Sequence, residues 1–230
     1  MNLHRHPPGA SANAIAAAEA TLRRRLAACT VPDEHRHLTL ELVVLYSRSG
    51  QHGLAMQHLR RLLQGTADTA EQVDYLLGLG QLMEQVGDFA GASVFYGEGL
   101  DLGRGPADAR YLLHSHLGHC LNQSGRHREA EGHCRAAIAI DPDRHDAHEN
   151  LAVALEGQGR PAAAAELFIR AVHLCPANAR ALRRLDQLMA AHGSVVAEIP
   201  DIAAKLDECR ELVDAFRRRG TEQARTKLSG

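Results

Sequence analysis

The chain has 230 residues, enough to bury a real core, with 45% hydrophobic residues, 3% aromatics, no Trp and a formal net charge of −2. That charge argues against a general nucleic-acid binder, and no stretch reaches the ~20 apolar residues of a membrane helix. Five scattered cysteines without a C-x-x-C suit a reducing compartment, and the abundance of Ala and Leu over alternating Val, Ile and Thr predicts helices throughout.

Residues 1–10 are polar and read as a disordered tail. Over 11–30, Ser11 offers an N-cap and Ile15, Leu22 and Leu26 line a capping helix. Pro32, with Asp33 and Glu34 behind it, begins the next helix, and residues 32–193 divide into helix pairs. The first pair carries Leu42, Val43, Tyr46, Gly50, Ala55 and Leu59, and the second Leu79, Gly80, Met83, Gly87, Ala92 and Tyr96. Extra residues around Leu102 to Asp108 lengthen the connection to the third pair. That pair has Leu117, Gly118, Leu121, Gly125, Ala130, Cys134, Ala137 and Pro142; the fourth has Leu151, Ala152, Leu155, Gly159, Ala164, Phe168, Ala171 and Pro176. Ala179 to His192 repeats only a first helix, with Leu182, Leu185 and Met189 in phase and Gly193 at the turn. Over 199–220, Ile199, Ile202, Leu206, Cys209, Val213 and Phe216 recur at alternating spacings of three and four, with Gly220 as the stop and 221–230 as a second disordered tail. This stripe is expected to fold back as a cap over Leu182, Leu185 and Met189, or else to pair with the same helix of a second copy as a homodimer, or with a partner.

One constant shift superposes Leu117 on Leu151, Gly125 on Gly159, Ala130 on Ala164 and Pro142 on Pro176. Gly at the inter-helix turn supplies a positive φ, small residues let paired helices touch, and Pro stops the second helix. This pattern resembles the tetratricopeptide repeat, over about residues 36 to 193. The resemblance implies an all-α, right-handed superhelix (an α-solenoid) of about four helix pairs plus flanking capping helices, in which stacking buries what one pair cannot bury alone.

Candidate chemistry is sparse. Fifteen histidines include His116 and His119 at i,i+3, yet there is no H-E-x-x-H and no Cys/His finger spacing. His114 and His148 occupy the same repeat position, which favours packed histidines over metal ligands. No G-x-S-x-G and no phosphate-cradling Gly loop appears, and Cys120 and Cys134 fall at packed positions. No catalytic residue, cofactor or metal is therefore expected, and the chain is read as a non-enzyme.

In the family the first helix of each pair lines a concave groove. Carried over position by position, the resemblance places Leu77, Gln81, Ser115, His119, Asn122, Glu149, Val153, Arg180 and Arg183 in it. Asn150 and Arg184 match half of a basic clamp that some members use to grip a terminal carboxylate; Ser115 and His119 stand where the other half needs different residues. The implied function is a non-catalytic scaffold or adaptor for another protein or peptide segment, acidic or carboxylate-terminated at the Arg180/Arg184 end, with no nucleic-acid or membrane partner and a cytoplasmic location. The alternatives are a secretion-type chaperone for an aggregation-prone client and a substrate-docking subunit of an enzyme complex.

Overall fold

The computed structural model describes residues 12–103, 105–197 and 199–228, with side chains as far as 220 apart from 195 and 196. Among the described residues there are eleven helices and no strand. They are α1 (Ala12–Ala28), α2 (Pro32–Arg48), α3 (His52–Gly65), α4 (Thr69–Gln85), α5 (Phe89–Asp101), α6 (Ala107–Gln123), α7 (His127–Ile140), α8 (His145–Gly157), α9 (Pro161–Leu174), α10 (Ala179–Val196) and α11 (Ile202–Leu228). The pairs are thus α2/α3, α4/α5, α6/α7 and α8/α9, with α10 unpaired and α1 and α11 flanking: an all-α solenoid of helix pairs.

Each pair turns in the same way. Gly50, Gly87, Gly125 and Gly159 sit at φ between 72° and 79°, where an L side chain is strained. The residue after each glycine bonds back to the carbonyl of the third-last helical residue: Gln51 to Tyr46 at 2.8 Å, and Asp88 to Met83, Arg126 to Leu121 and Arg160 to Leu155 at 2.9 Å. Each glycine N–H bonds to the next carbonyl along, which completes a Schellman motif four times over. Helix starts are equally local. Pro32 and Pro161 occupy first turns, the Asp68 carboxylate accepts from Ala70 and Glu71 N–H at 2.8 and 3.0 Å, and Asp88 accepts from Gly91 N–H at 2.8 Å.

The chain divides into two compact units, residues 1–113 and 114–230, and the division falls inside α6. In the first unit Leu42, Val43, Tyr46, Ala55, Leu59, Tyr75, Leu79 and Leu82 form a core against which Leu22 and Leu26 of α1 rest half-buried. Helix α1 itself has no buried residue. It is hooked on by polar groups: Arg23 Nε and Nη2 donate to the buried Tyr46 hydroxyl at 3.2 and 3.0 Å, and that hydroxyl donates to Glu19 Oε1 at 3.0 Å.

In the second unit, Phe168, Ile169 and Val172 of α9 and Leu185 and Leu188 of α10 share one core with Ile199 and, on α11, Ile202, Leu206, Cys209 and Val213. Arg210 to Asp186 at 3.0 Å and His173 to Glu208 at 3.2 Å close its rim. Phe216 alone of the α11 stripe stays out, 51% exposed.

Beside Gly193 the helix breaks: the backbone leaves helical geometry at His192 (φ −133°, ψ 33°), so Ala179–Val196 is two helical stretches joined by a kink. One local expectation changes. Gly220 does not stop α11, which continues to Leu228, so most of the expected C-terminal tail is helical. A lone glycine inside a helix costs about 1 kcal/mol against Ala but ends it only where the backbone turns left-handed, and Gly220 does not. Ser11, with the expected N-terminal tail, lies outside the described residues.

Candidate functional site

Within residues 114–230 the first helices α6, α8 and α10 lie side by side, tied by their own polar groups. Asn122 Nδ2 on α6 donates to the Asn150 carbonyl of α8 at 2.8 Å. Asn150 Nδ2 returns a bond to the Ser115 carbonyl at 3.1 Å. From α8 to α10, Arg184 Nη2 donates to Glu156 Oε2 at 2.8 Å, and Arg180 Nε lies 2.7 Å from Glu149 Oε1. The latter is an ion pair without hydrogen-bond alignment, since that oxygen has no bonded donor, while Asn178 Nδ2 donates to the other carboxylate oxygen at 3.3 Å. The Arg184 guanidinium also lies over the Phe168 ring, 6.0 Å from its centre.

These contacts sort the residues singled out from the sequence. Ser115, Asn122 and Glu149 are buried, and with Asn150 they serve as cross-helix staples. Arg180 and Arg184 are neutralised within the chain. His119 lies on the same stripe of α6 as Ser115 and Asn122, and Val153 on the same stripe of α8 as Glu149 and Glu156; both are half-buried. Arg183 is exposed. Leu77 and Gln81 belong to the first unit and are buried there, 1% and 2% exposed. Sequence reasoning missed the Glu149–Arg180 and Glu156–Arg184 pairs. Opposite charges on the first helices of successive repeats, here 31 and 28 residues apart, are the signal that could have found them.

Each unit also has a cleft of its own. In the first unit a cleft of about 300 Å³ is lined by Asp33, Arg36, His37, Leu40, Glu71, Asp74 and Tyr75, with Arg36 paired to both Asp33 and Glu71. In the second, about 470 Å³ opens beside the turn residues Gly125 to Glu129 with Gly157 and Gln158. Next to it Gln158 Nε2 donates to Glu131 Oε2 at 2.8 Å; bonds from Arg135 first, and then Gln158, hold the Glu131 carboxyl below the usual range. Burial pushes the Cys134 thiol up to about 12 and the Cys209 thiol up to about 11, so neither is a ready nucleophile. Among the described residues no three His, Cys, Asp or Glu side chains converge as a metal site.

Residues 117–179 match the sequence model of the tetratricopeptide repeat. Solved structures share the fold. A crystal structure of MamA superposes with a TM-score of 0.60 at 19% identity, covering 76% of this chain and 96% of that one. MamA of Desulfovibrio magneticus gives 0.62 at 18% identity, over 78% and 96% of the two chains. YrrB, described as a TPR protein with an unusual peptide-binding site, gives 0.56 at 20% identity, over 76% and 84%. A comparison with curated proteins found no match. At these identities the likeness establishes the fold.

Proposed function

We propose that this tetratricopeptide-repeat chain is a non-catalytic scaffold or adaptor that binds a segment of another protein across the α6–α8–α10 face. One observation carries it: the three helices are locked side by side by Asn122, Asn150, Glu149 and Glu156, while His119 and Val153 stay half-buried between those staples and Arg183 is exposed. A face whose side chains are already ordered loses little entropy on binding, which favours recognition of a short segment. The peptide-binding site attributed to the structurally similar YrrB supports the same use of the fold.

The chemistry of the segment follows from what the face leaves unspent. An acidic partner would have to compete with Glu149 for Arg180 and with Glu156 for Arg184, so its carboxylate meets Arg183 first. For a second copy of the chain, α11 offers Phe216 of its stripe among the described side chains, which supports the groove face as the partner's site. Five unpaired cysteines support a reducing, cytoplasmic setting.

Affinity purification from the native cell, with the wild-type chain beside R183E/Q187E, tests this. Both substitutions fall on exposed positions of α10. The expected result is one partner retained by the wild type and reduced about tenfold or more on the variant, at equal melting temperature. A partner recovered equally by both would overturn the proposal.

A further inference from the structure

We propose that His114 on α6 and His133 on α7 form a proton-sharing latch that holds the third helix pair closed at neutral pH and releases it when both rings are protonated. Their Nδ1 atoms lie 3.1 Å apart and their ring centres 5.4 Å apart. The difference of 2.3 Å is two centre-to-nitrogen distances laid end to end, so the nitrogens face each other along the line of centres. A chelated metal would need both lone pairs to converge on a third point beside that line, and no third metal-ligating side chain joins them among the described residues. Head-on, the pair suits a single hydrogen: one ring donates through Nδ1–H and the other accepts.

The chemistry of opening follows from proton counting. A first added proton takes the Nε2 of the donor ring and makes it an imidazolium, a stronger donor, so the latch stays shut. A second must take the accepting Nδ1. It abolishes the bond and leaves two cations at the same contact, in a half-buried site. Around His133, burial disfavours charge most, Glu129 on its own helix favours it, and Arg126 at the start of α7 disfavours it. The balance lies below the ordinary imidazole range. Glu129 is itself held by Arg126 through bonds of 2.7 and 2.6 Å, which limits its support. The two protons leave as steps of the pair rather than of either ring.

With the folded value depressed, the unfolded chain binds more protons once the pH falls below about 6.5. The stability due to the pair is therefore complete above that pH and declines below it. The device is confined to one repeat. At the same position of the next repeat, His148 Nε2 instead meets the Pro142 carbonyl at 2.9 Å, and Leu167 stands in the place of His133. Helix α6 carries Ser115, His119 and Asn122, so its release would disturb the groove face, although the latch does not depend on what that face binds.

Nitrogen-resolved NMR of the histidine rings in the full chain, from about pH 7.5 to pH 4.5, tests the pair directly. One of the two rings is expected in the Nδ1–H form at neutral pH, with a two-step titration of the pair. Thermal melting of the wild type and H133L across the same range is the second measurement. The wild type should lose about 2–4 °C relative to H133L as the pH falls, since H133L copies the arrangement of the fourth repeat. Two Nε2–H rings that titrate independently at the ordinary value, or parallel melting curves for the two proteins, would overturn the latch. The NMR measurement needs only the wild-type chain, so it decides the matter even where H133L fails to fold.

Discussion

Helix α11 contributes Ile202, Leu206, Cys209 and Val213 to the core of its unit, each less than a tenth exposed, whereas α1 contributes no buried residue to its own. Both are flanking helices: α1 lies against α2 of the first pair, and α11 against α9 and the unpaired α10. One does so with apolar side chains at heptad-like spacing, the other with a polar hook on Tyr46 and two half-buried leucines. Apolar burial scales with area and tolerates small shifts. A hydrogen-bonded hook depends on three side chains holding their angles, and its outer members, Arg23 and Glu19, sit in solvent-accessible positions that salt screens. End helices of one solenoid can thus stand at opposite ends of the local-stability scale.

The sharpest way to break this contrast is Leu206→Ala. Removing a buried leucine from α11 should cost about 2–5 kcal/mol, read as a lower midpoint in urea denaturation. A cost comparable to that of a surface substitution would mean that α11 is not part of the core. Thiol labelling sharpens the contrast without mutation. Cys29, just beyond α1, is half-exposed, while Cys209 on α11 is buried and its thiol is pushed up to about 11 by burial and by Glu208. At mildly alkaline pH Cys29 should react about a hundredfold faster than Cys209, measured cysteine by cysteine in a mass spectrometer. Similar rates would show that α11 lifts off readily. The smallest effect is expected at the hook. Tyr46→Phe keeps the ring stacked on His58 but removes the hydroxyl, and should speed hydrogen exchange over residues 12–28 about fivefold while leaving α11 unchanged. Unaltered exchange in α1 would mean that the leucines alone hold it.

The helix pairs were readable because they depend on single residues. A glycine that must adopt positive φ, as at Gly125 and Gly159, marks a turn by itself, and its recurrence from one repeat to the next fixes the frame. Gly220 shows the limit of the rule: a glycine permits a left-handed turn, but the chain after it decides whether one is made. The groove was less readable for the opposite reason. Whether Arg180 faces a ligand or Glu149 depends on two helices and two rotamers at once, and position-by-position transfer treats each side chain as free. Asn150 illustrates the same point, for its amide is spent on the Ser115 carbonyl rather than offered outward.

The meeting of small and large residues within each pair has a consequence for how such a chain can change. A Cβ on Gly80 would collide with the Tyr96 ring, and one on Gly118 with the Cys134 sulfur; in the other pairs Ala152 shares a core with Phe168, and Val43 with Leu59. Each first helix is cut to the size of its own second helix. A duplication or crossover that joined one pair's first helix to another's second would set Tyr96 against Ala152 or Val43, or leave Gly80 facing only a thiol. The heritable module of this chain is therefore the whole hairpin, and genetic exchange can shuffle hairpins but not the helices inside them.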